Sequence, residues 1–309
     1  MSLRNLRLGQ LTLEVNQEAN RRNLEATREG QLTERYASAA QQLGHEKPAV
    51  RLAGVYAMAR LADDWEPQRQ PCIDVLCAYL RMPYEPQTAP QGEREVRLTV
   101  IRIIRDHCRG FAATSWQGCD LDFTGATLDG GDFTAMQFSA ATVRFDKTKF
   151  AEGDVDFFGS EFSGATVSFY EAEFSGGSVY FYSTVISGGT VSFAEAKFNG
   201  GTVSFAEANF NGGRVEYNRA QFSGSAVFFT STQFSGSIVH FDDSEFTGGA
   251  VDFTGAQFNG GKVDFNGADF GGGAVDLRHA SAWDTPPIGL PAAAPGLKMR
   301  TPRRPQDAR

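Results

Sequence analysis

From Phe138 onward a large apolar residue returns every 12 positions without a gap: Phe138, Phe150, Phe162, Phe174, Ile186 and so on through Phe270. Five residues after each stands a valine, from Val143 through Val275, and seven after each stands Phe, Tyr or Leu, from Phe145 through Leu277. Ten after each there is commonly a small residue, as in Thr148, Ser160, Ala172, Ala196, Ala208, Ala256 and Ala268. An internal period of this kind marks a solenoid, in which each unit can bury its apolar side only against its neighbours. Within each unit two pieces read small-x-large, Ala-x-Phe and Val-x-Phe. Strand alternation turns both named residues inward and the middle one to solvent, so each piece is one short strand.

Ahead of this frame Phe123, Leu128, Phe133 and Phe138 stand five apart, in segments such as Ala126-Thr127-Leu128-Asp129-Gly130. Here the chain resembles the pentapeptide-repeat family, whose motif is a small residue, a polar residue, Leu or Phe, a polar residue and often Gly. The resemblance covers about half the chain, from about Cys119 to Leu277. It implies a right-handed quadrilateral β-helix with four pentapeptides per coil. The longer period departs from that pattern and reads as two pentapeptide sides plus two extra residues at one corner. A 12-residue coil would be too narrow for two Phe, one Val and one small residue, whereas a coil of two units, 24 residues, encloses four large and four small ones. The recurring pairs Gly176-Gly177, Gly188-Gly189, Gly200-Gly201 and Gly260-Gly261 suit the widened corner, because Gly reaches positive φ without a Cβ clash. Roughly seven coils spaced about 4.8 Å apart give a rod on the order of 30 to 35 Å long.

Residues 1–43 lack Pro and are rich in Leu, Glu, Arg, Gln and Ala, which predicts one long helix or two collinear ones. Leu32, Tyr36 and Leu43 form a helical stripe, while the first twenty residues carry only a weak one and are expected to project. Further helices are expected from Pro48, around Ile73–Leu80, and around Val96–Ile104. Together they would make a HEAT-like α-helical domain over 1–112, ahead of a β-helix over 113–280. The stretch from Leu43 to Ala62, with Val75 to Leu80 after it, resembles the helical region that precedes the repeats in actinobacterial pentapeptide-repeat proteins. Many of those relatives carry membrane spans upstream; this chain shows no apolar run of that length, and its membrane association stays open. Residues 281–309, with four prolines between Pro286 and Pro295 followed by Arg300, Arg303 and Arg304, read as a disordered, Pro-rich, basic tail.

Charge is unevenly spread. Residues 1–119 hold 16 basic and 14 acidic side chains, residues 120–280 hold 8 and 21, and residues 281–309 hold 5 and 2. The acidic middle disfavours direct nucleic-acid binding, because phosphate contacts need Lys and Arg. Cys72, Cys77, Cys108 and Cys119 are too few and too irregularly spaced for a secreted disulfide framework or a zinc site, and are expected as free thiols in a cytoplasmic protein. The histidines His45, His107, His240 and His279 are scattered. No cofactor or metal is expected.

The sequence offers no convincing catalytic set. The Gly pairs recur every 12 residues and no Gly-Lys-Ser/Thr follows them, so they are not a phosphate cradle. Asp252 and Asp276 should lie on one face of neighbouring coils with Asp264 on the opposite face, a solvated ladder of acids without side chains to orient a sugar. The chain is read as a non-enzyme. One outward cluster stands out: Asp156, Phe158, Tyr180 and Tyr182 flank the inward Phe157 and Phe181. Two readings of it stand, an anchor for a protein partner or a patch covered by the helical domain or its linker. The function expected is a scaffold or protein-protein interaction module with an unidentified protein partner. The alternative, implied by the family resemblance, is a DNA mimic that binds DNA gyrase and protects it from fluoroquinolones; the net charge of 8 minus 21, or −13, over residues 120–280 suits it.

Overall fold

The computed structural model describes residues 3–139 and 141–300. Four helices come first: α1 (Leu3–Leu43), α2 (Pro48–Asp64), α3 (Arg69–Arg81) and α4 (Glu93–Cys108). A stack of short parallel strands follows. The chain divides into two compact units between Ile73 and Asp74. The boundary falls inside α3, so of the helices expected over 1–112 most of α3 and all of α4 belong to the second unit, where α4 packs with the coils.

In the first unit α1 and α2 are antiparallel partners. Leu32, Ala39 and Leu43 of α1 are buried, as are Val55, Met58, Leu61 and Ala62 of α2. Gly54 permits the approach, since a Cβ there would lie 2.7 Å from the backbone nitrogen of Leu43. Residues 13–31 of α1 are almost all exposed.

The second unit is a four-sided β-helix whose coil takes 24 residues. Phe174 pairs in register with Phe150 and Phe198, and Val179 pairs with Val155 and Val203. In one coil Phe162 lies on the first face, Val167 on the second, Phe174 on the third and Val179 on the fourth. The first two faces merge into one 12-stranded sheet because the strands Glu161–Ser168 and Val185–Ser192 run continuously through the corner between them; the other faces are sheets of six and eight strands. Aromatic rings stack along the third-face column and along the two columns that follow the valines. Phe174 lies 4.7 Å from Phe198, with ring planes parallel at 0°, and Phe198 lies 4.6 Å from Phe222. That spacing equals the distance between hydrogen-bonded strands, so ring stacking and backbone pairing reinforce each other.

Two kinds of corner alternate. After the second and fourth faces the chain turns through Phe-x-x-small, closed by a bond such as Ala172 N–H to Phe169 O at 3.0 Å, with the third residue at positive φ, as at Glu171. The small residue must be small because it turns inward: Ala172, Ala196 and Ala208 are wholly buried. Where it is a hydroxyl, it donates to a carbonyl, about one coil earlier for Thr148 to Phe123 O at 2.9 Å, Ser160 to Phe133 O at 2.8 Å and Thr232 to Phe205 O at 2.7 Å, and within its own turn for Thr184 to Phe181 O at 2.9 Å. Such bonds offset the desolvation of each buried hydroxyl.

The other corners hold the Gly pairs, and the two glycines do different work. Gly201 sits at φ +66, as expected, whereas a Cβ on Gly200 would run into the carbonyl oxygen of Ser175 in the coil below. The second position accepts Ser225 and Ser237; Ser225 Oγ donates to Gly200 O at 2.6 Å, and Ser237 Oγ donates to Gly212 O.

The first coil is covered by α4. Ile101 packs on Gly131, 3.1 Å from where its Cβ would be. Arginines then tie the helix to the coil. Arg94 binds Asp129 at 3.0 Å, the buried Arg97 donates to Leu80 O and Thr127 O, Arg105 pairs with Asp132, and Arg109 donates to Thr134. Tyr84 adds a 2.8 Å bond to Asp129.

The opposite end corrects the tail expected from 281. Ala282–Trp283 pairs with Gln257–Phe258, Ile288 bridges Asp264, and Leu297–Lys298 pairs with Val275–Asp276. Residues 282–298 thus lay one more coil over the last Phe-Val unit. Proline is tolerated there because a terminal coil has no further strand to receive its backbone donors. Arg303 and Arg304 lie outside the described residues.

Candidate functional site

Outward side chains form columns with one residue per coil. On the fourth face, the outward residues that end successive strands run Asp132, Asp156, Tyr180, Ser204, Phe228, Asp252 and Asp276. Two of the four sequence-predicted residues, Asp156 and Tyr180, are therefore direct neighbours in this column. Phe158 and Tyr182 make the adjoining corner column, with rings stacked at 5.6 Å and 12° between planes. All four come together on one side of two adjacent coils. Asp156 Oδ1 accepts the backbone N–H of Phe158 at 2.7 Å, which fixes the turn that presents the ring. Phe158 is 47% exposed, and Asp156, Tyr180 and Tyr182 are half-buried. The Glu207 carboxylate beside the Tyr182 hydroxyl holds its pKa above the ordinary tyrosine value. α4 approaches this face beside its first two coils, where Arg94, Arg102 and Arg105 line a groove whose other wall includes Asp132, Asp154 and Asp156.

Charges of both signs meet along the corner between the second and third faces, in the order Lys147, Glu171, Glu195, Arg219 and Asp243. Lys147 pairs with Glu171 at 3.6 Å, and Arg219 pairs with Glu195 at 2.5 Å. Tyr170 donates to Glu195 at 3.0 Å, and its pKa is pushed up to about 12, chiefly by hydrogen bonds to Glu171 and Glu195. Asp252 and Asp276 stack as expected on the fourth face, with Asp264 on the second. Asp276 is bound by Arg278 at 2.6 Å, and that bond lowers its pKa.

The second face holds a group that sequence reading missed. Glu216, His240 and Asp264 form one column, Asn218 and Asp242 stand two residues further along the chain, and Arg214, Ile238 and Lys262 stand two before. One His240 nitrogen and one carboxylate oxygen each from Asp242 and Asp264 lie within 4.8 Å of one another, the one such metal-competent group among the described residues. The 24-residue coil contained the signal: His240 and Asp264 are one coil apart, and Asp242 shares the outward parity of His240.

Residues 229–281 match the family described as Pentapeptide repeats (9 copies). Among solved structures, that of QnrB1, a plasmid-mediated fluoroquinolone resistance protein, is similar over 55% of this chain and 82% of its own, at 17% identity and a TM-score of 0.21, a superposition too loose to support inference. No curated protein matches the chain.

Proposed function

Since the repeat region is a pentapeptide-repeat β-helix, we propose that this chain is a non-enzymatic scaffold that holds a protein partner against side chains at fixed spacing. The observation that carries the reading is the outward stack of Phe158 on Tyr182 beside Asp156 and Tyr180. Stacked coils allow these strands little freedom, so the patch is pre-organised and a partner loses little additional entropy on binding. Half-exposed aromatics next to a carboxylate suit the centre of a protein interface. The exposed length of α1 supplies a second docking surface. Four free cysteines fit a reducing compartment such as the cytoplasm, and no helix among the described residues is long and apolar enough to cross a membrane.

Affinity capture with the full chain and with Phe158→Ser/Tyr182→Ser, both confirmed folded by circular dichroism, tests this. A protein retained by the first and lost by the second supports the patch; equal capture by both assigns binding elsewhere. Gyrase mimicry draws on the net charge of −13 over residues 120–280. The Lys147–Glu171 and Glu195–Arg219 pairs break up the negative field along one corner, which weighs against it.

A further inference from the structure

On the second face His240, Asp242 and Asp264 converge from two adjacent coils, and their side chains are only 17%, 27% and 5% exposed. His240 Nε2 lies 3.1 Å from Arg214 Nη1, and His240 Nδ1 lies 2.8 Å from Asp242 Oδ2. A guanidinium can only donate, so Nε2 accepts from Arg214 and Nδ1–H donates to Asp242. In this tautomer the proton sits on Nδ1, so ligation beside Asp242 requires it to move to Nε2 as Arg214 turns away. Lys262 Nζ stands 3.0 Å from Asp264 Oδ2, and Asp264 Oδ1 accepts the backbone N–H of Asn266 at 3.0 Å. Two side-chain cations, one from the coil before and one from the coil after His240, thus lie against the donor set.

We propose that His240, Asp242 and Asp264 form a binding site for a first-row divalent transition cation such as Zn2+. One imidazole with two carboxylates suits zinc-class ions better than Ca2+ or Mg2+, which take oxygen ligands. Three protein ligands leave coordination positions for water. The donors project from strands locked in register, His240 against Asp264, so little rearrangement beyond the side chains is needed. Asn218 donates to Asp242 Oδ2 at 3.2 Å and orients that carboxylate. Entry of the cation displaces the flexible ammonium of Lys262, which is 52% exposed, and turns Arg214 toward Glu216, already 3.9 Å from it.

The competition by Lys262 supplies a test that does not depend on disrupting the site. The full chain, free of any affinity tag, is titrated with ZnCl2 by calorimetry and with CoCl2 by visible absorption, beside His240→Ala, Asp264→Asn and Lys262→Ala. The expected result is one ion per chain, an affinity reduced about tenfold or more by His240→Ala and Asp264→Asn, and tighter binding in Lys262→Ala. Absence of binding by the parent chain at about 1 mM ion would overturn the proposal. Binding unchanged by His240→Ala would do the same, because the ion would then sit elsewhere. Should His240→Ala fail to fold, Lys262→Ala decides: unchanged or weaker binding refutes the site.

Discussion

Replacing Phe198 with Ala removes a ring from the middle of the third-face column. Phe198 is fully buried; its ring stacks on Phe174 at 4.7 Å and Phe222 at 4.6 Å, and it meets Phe193 and Tyr217 at 6.4 and 6.3 Å. A buried Phe→Ala change costs about 3 to 5 kcal/mol, because transfer free energy is lost and a cavity remains. Neighbouring strands are held by their own backbone bonds and cannot collapse into the gap. Two stacked ring pairs, each about 0.5 to 1.5 kcal/mol, disappear as well, so the expected cost is at the top of the range, about 5 kcal/mol. Phe270, at the end of the same column, stacks only on Phe246 at 5.1 Å and is tilted against Phe265 at 6.0 Å. Its change to Ala should cost less by about 1 to 2 kcal/mol. Urea denaturation ranks the variants, and hydrogen exchange locates the damage. Protection should fall across the coils and α4, which share a compact unit, and persist in α2. A cost below about 1.5 kcal/mol for Phe198→Ala, or an equal cost for Phe270→Ala, would refute the column as the source of rigidity.

Tyr217 replaces Phe in the second-to-third-face ring column, its hydroxyl buried without a partner and its pKa raised well above the usual value by burial; Tyr217→Phe should stabilise the fold by about 1 to 3 kcal/mol in urea denaturation. Burial pushes the Cys72 thiol up to about 11 and those of Cys77 and Cys108 up to about 12, so iodoacetamide at pH 8 should leave these three unmodified in the folded protein and label all four cysteines in urea, as mass spectrometry will show. Arg278 lowers the folded pKa of Asp276, so its contribution is present above the unfolded value and is lost as pH falls through the folded one; Arg278→Ala should move the acid-unfolding midpoint to higher pH. Asn199→Ala, which removes one exposed 3.1 Å bond to Glu173, should change stability by no more than about 0.5 kcal/mol. In a supercoiling assay the protein should inhibit gyrase weakly or not at all; potent inhibition abolished by neutralising Asp252, Asp264 and Asp276 together would replace the scaffold reading with mimicry.

The inward residues and the coil length were legible in the sequence because both follow from local rules. Alternation along three residues decides which side chains turn inward, and the volume of those side chains decides that two units, not one, close a coil; Phe174 accordingly stacks on Phe198. The outward cluster of Asp156, Phe158, Tyr180 and Tyr182 followed from the same period. Contacts between residues about 25 positions apart were not legible, because no local pattern encodes clearance or company. Gly200 looks like a residue chosen for positive φ, yet its backbone is ordinary and it is the carbonyl of Ser175 beneath it that excludes a side chain. Residues 282–298 lost the Phe and Val signal and read as tail, but an exposed strand edge pairs with any backbone that can follow it, and Trp283, Ile288 and Leu297 do. The arginines of α4 carry no local sign of their partners; the first coil places Asp129, Asp132 and two carbonyls opposite them. His240 seemed a scattered histidine for the same reason: its neighbours are chosen by coil stacking, which brings Asp264 beside it from 24 residues away.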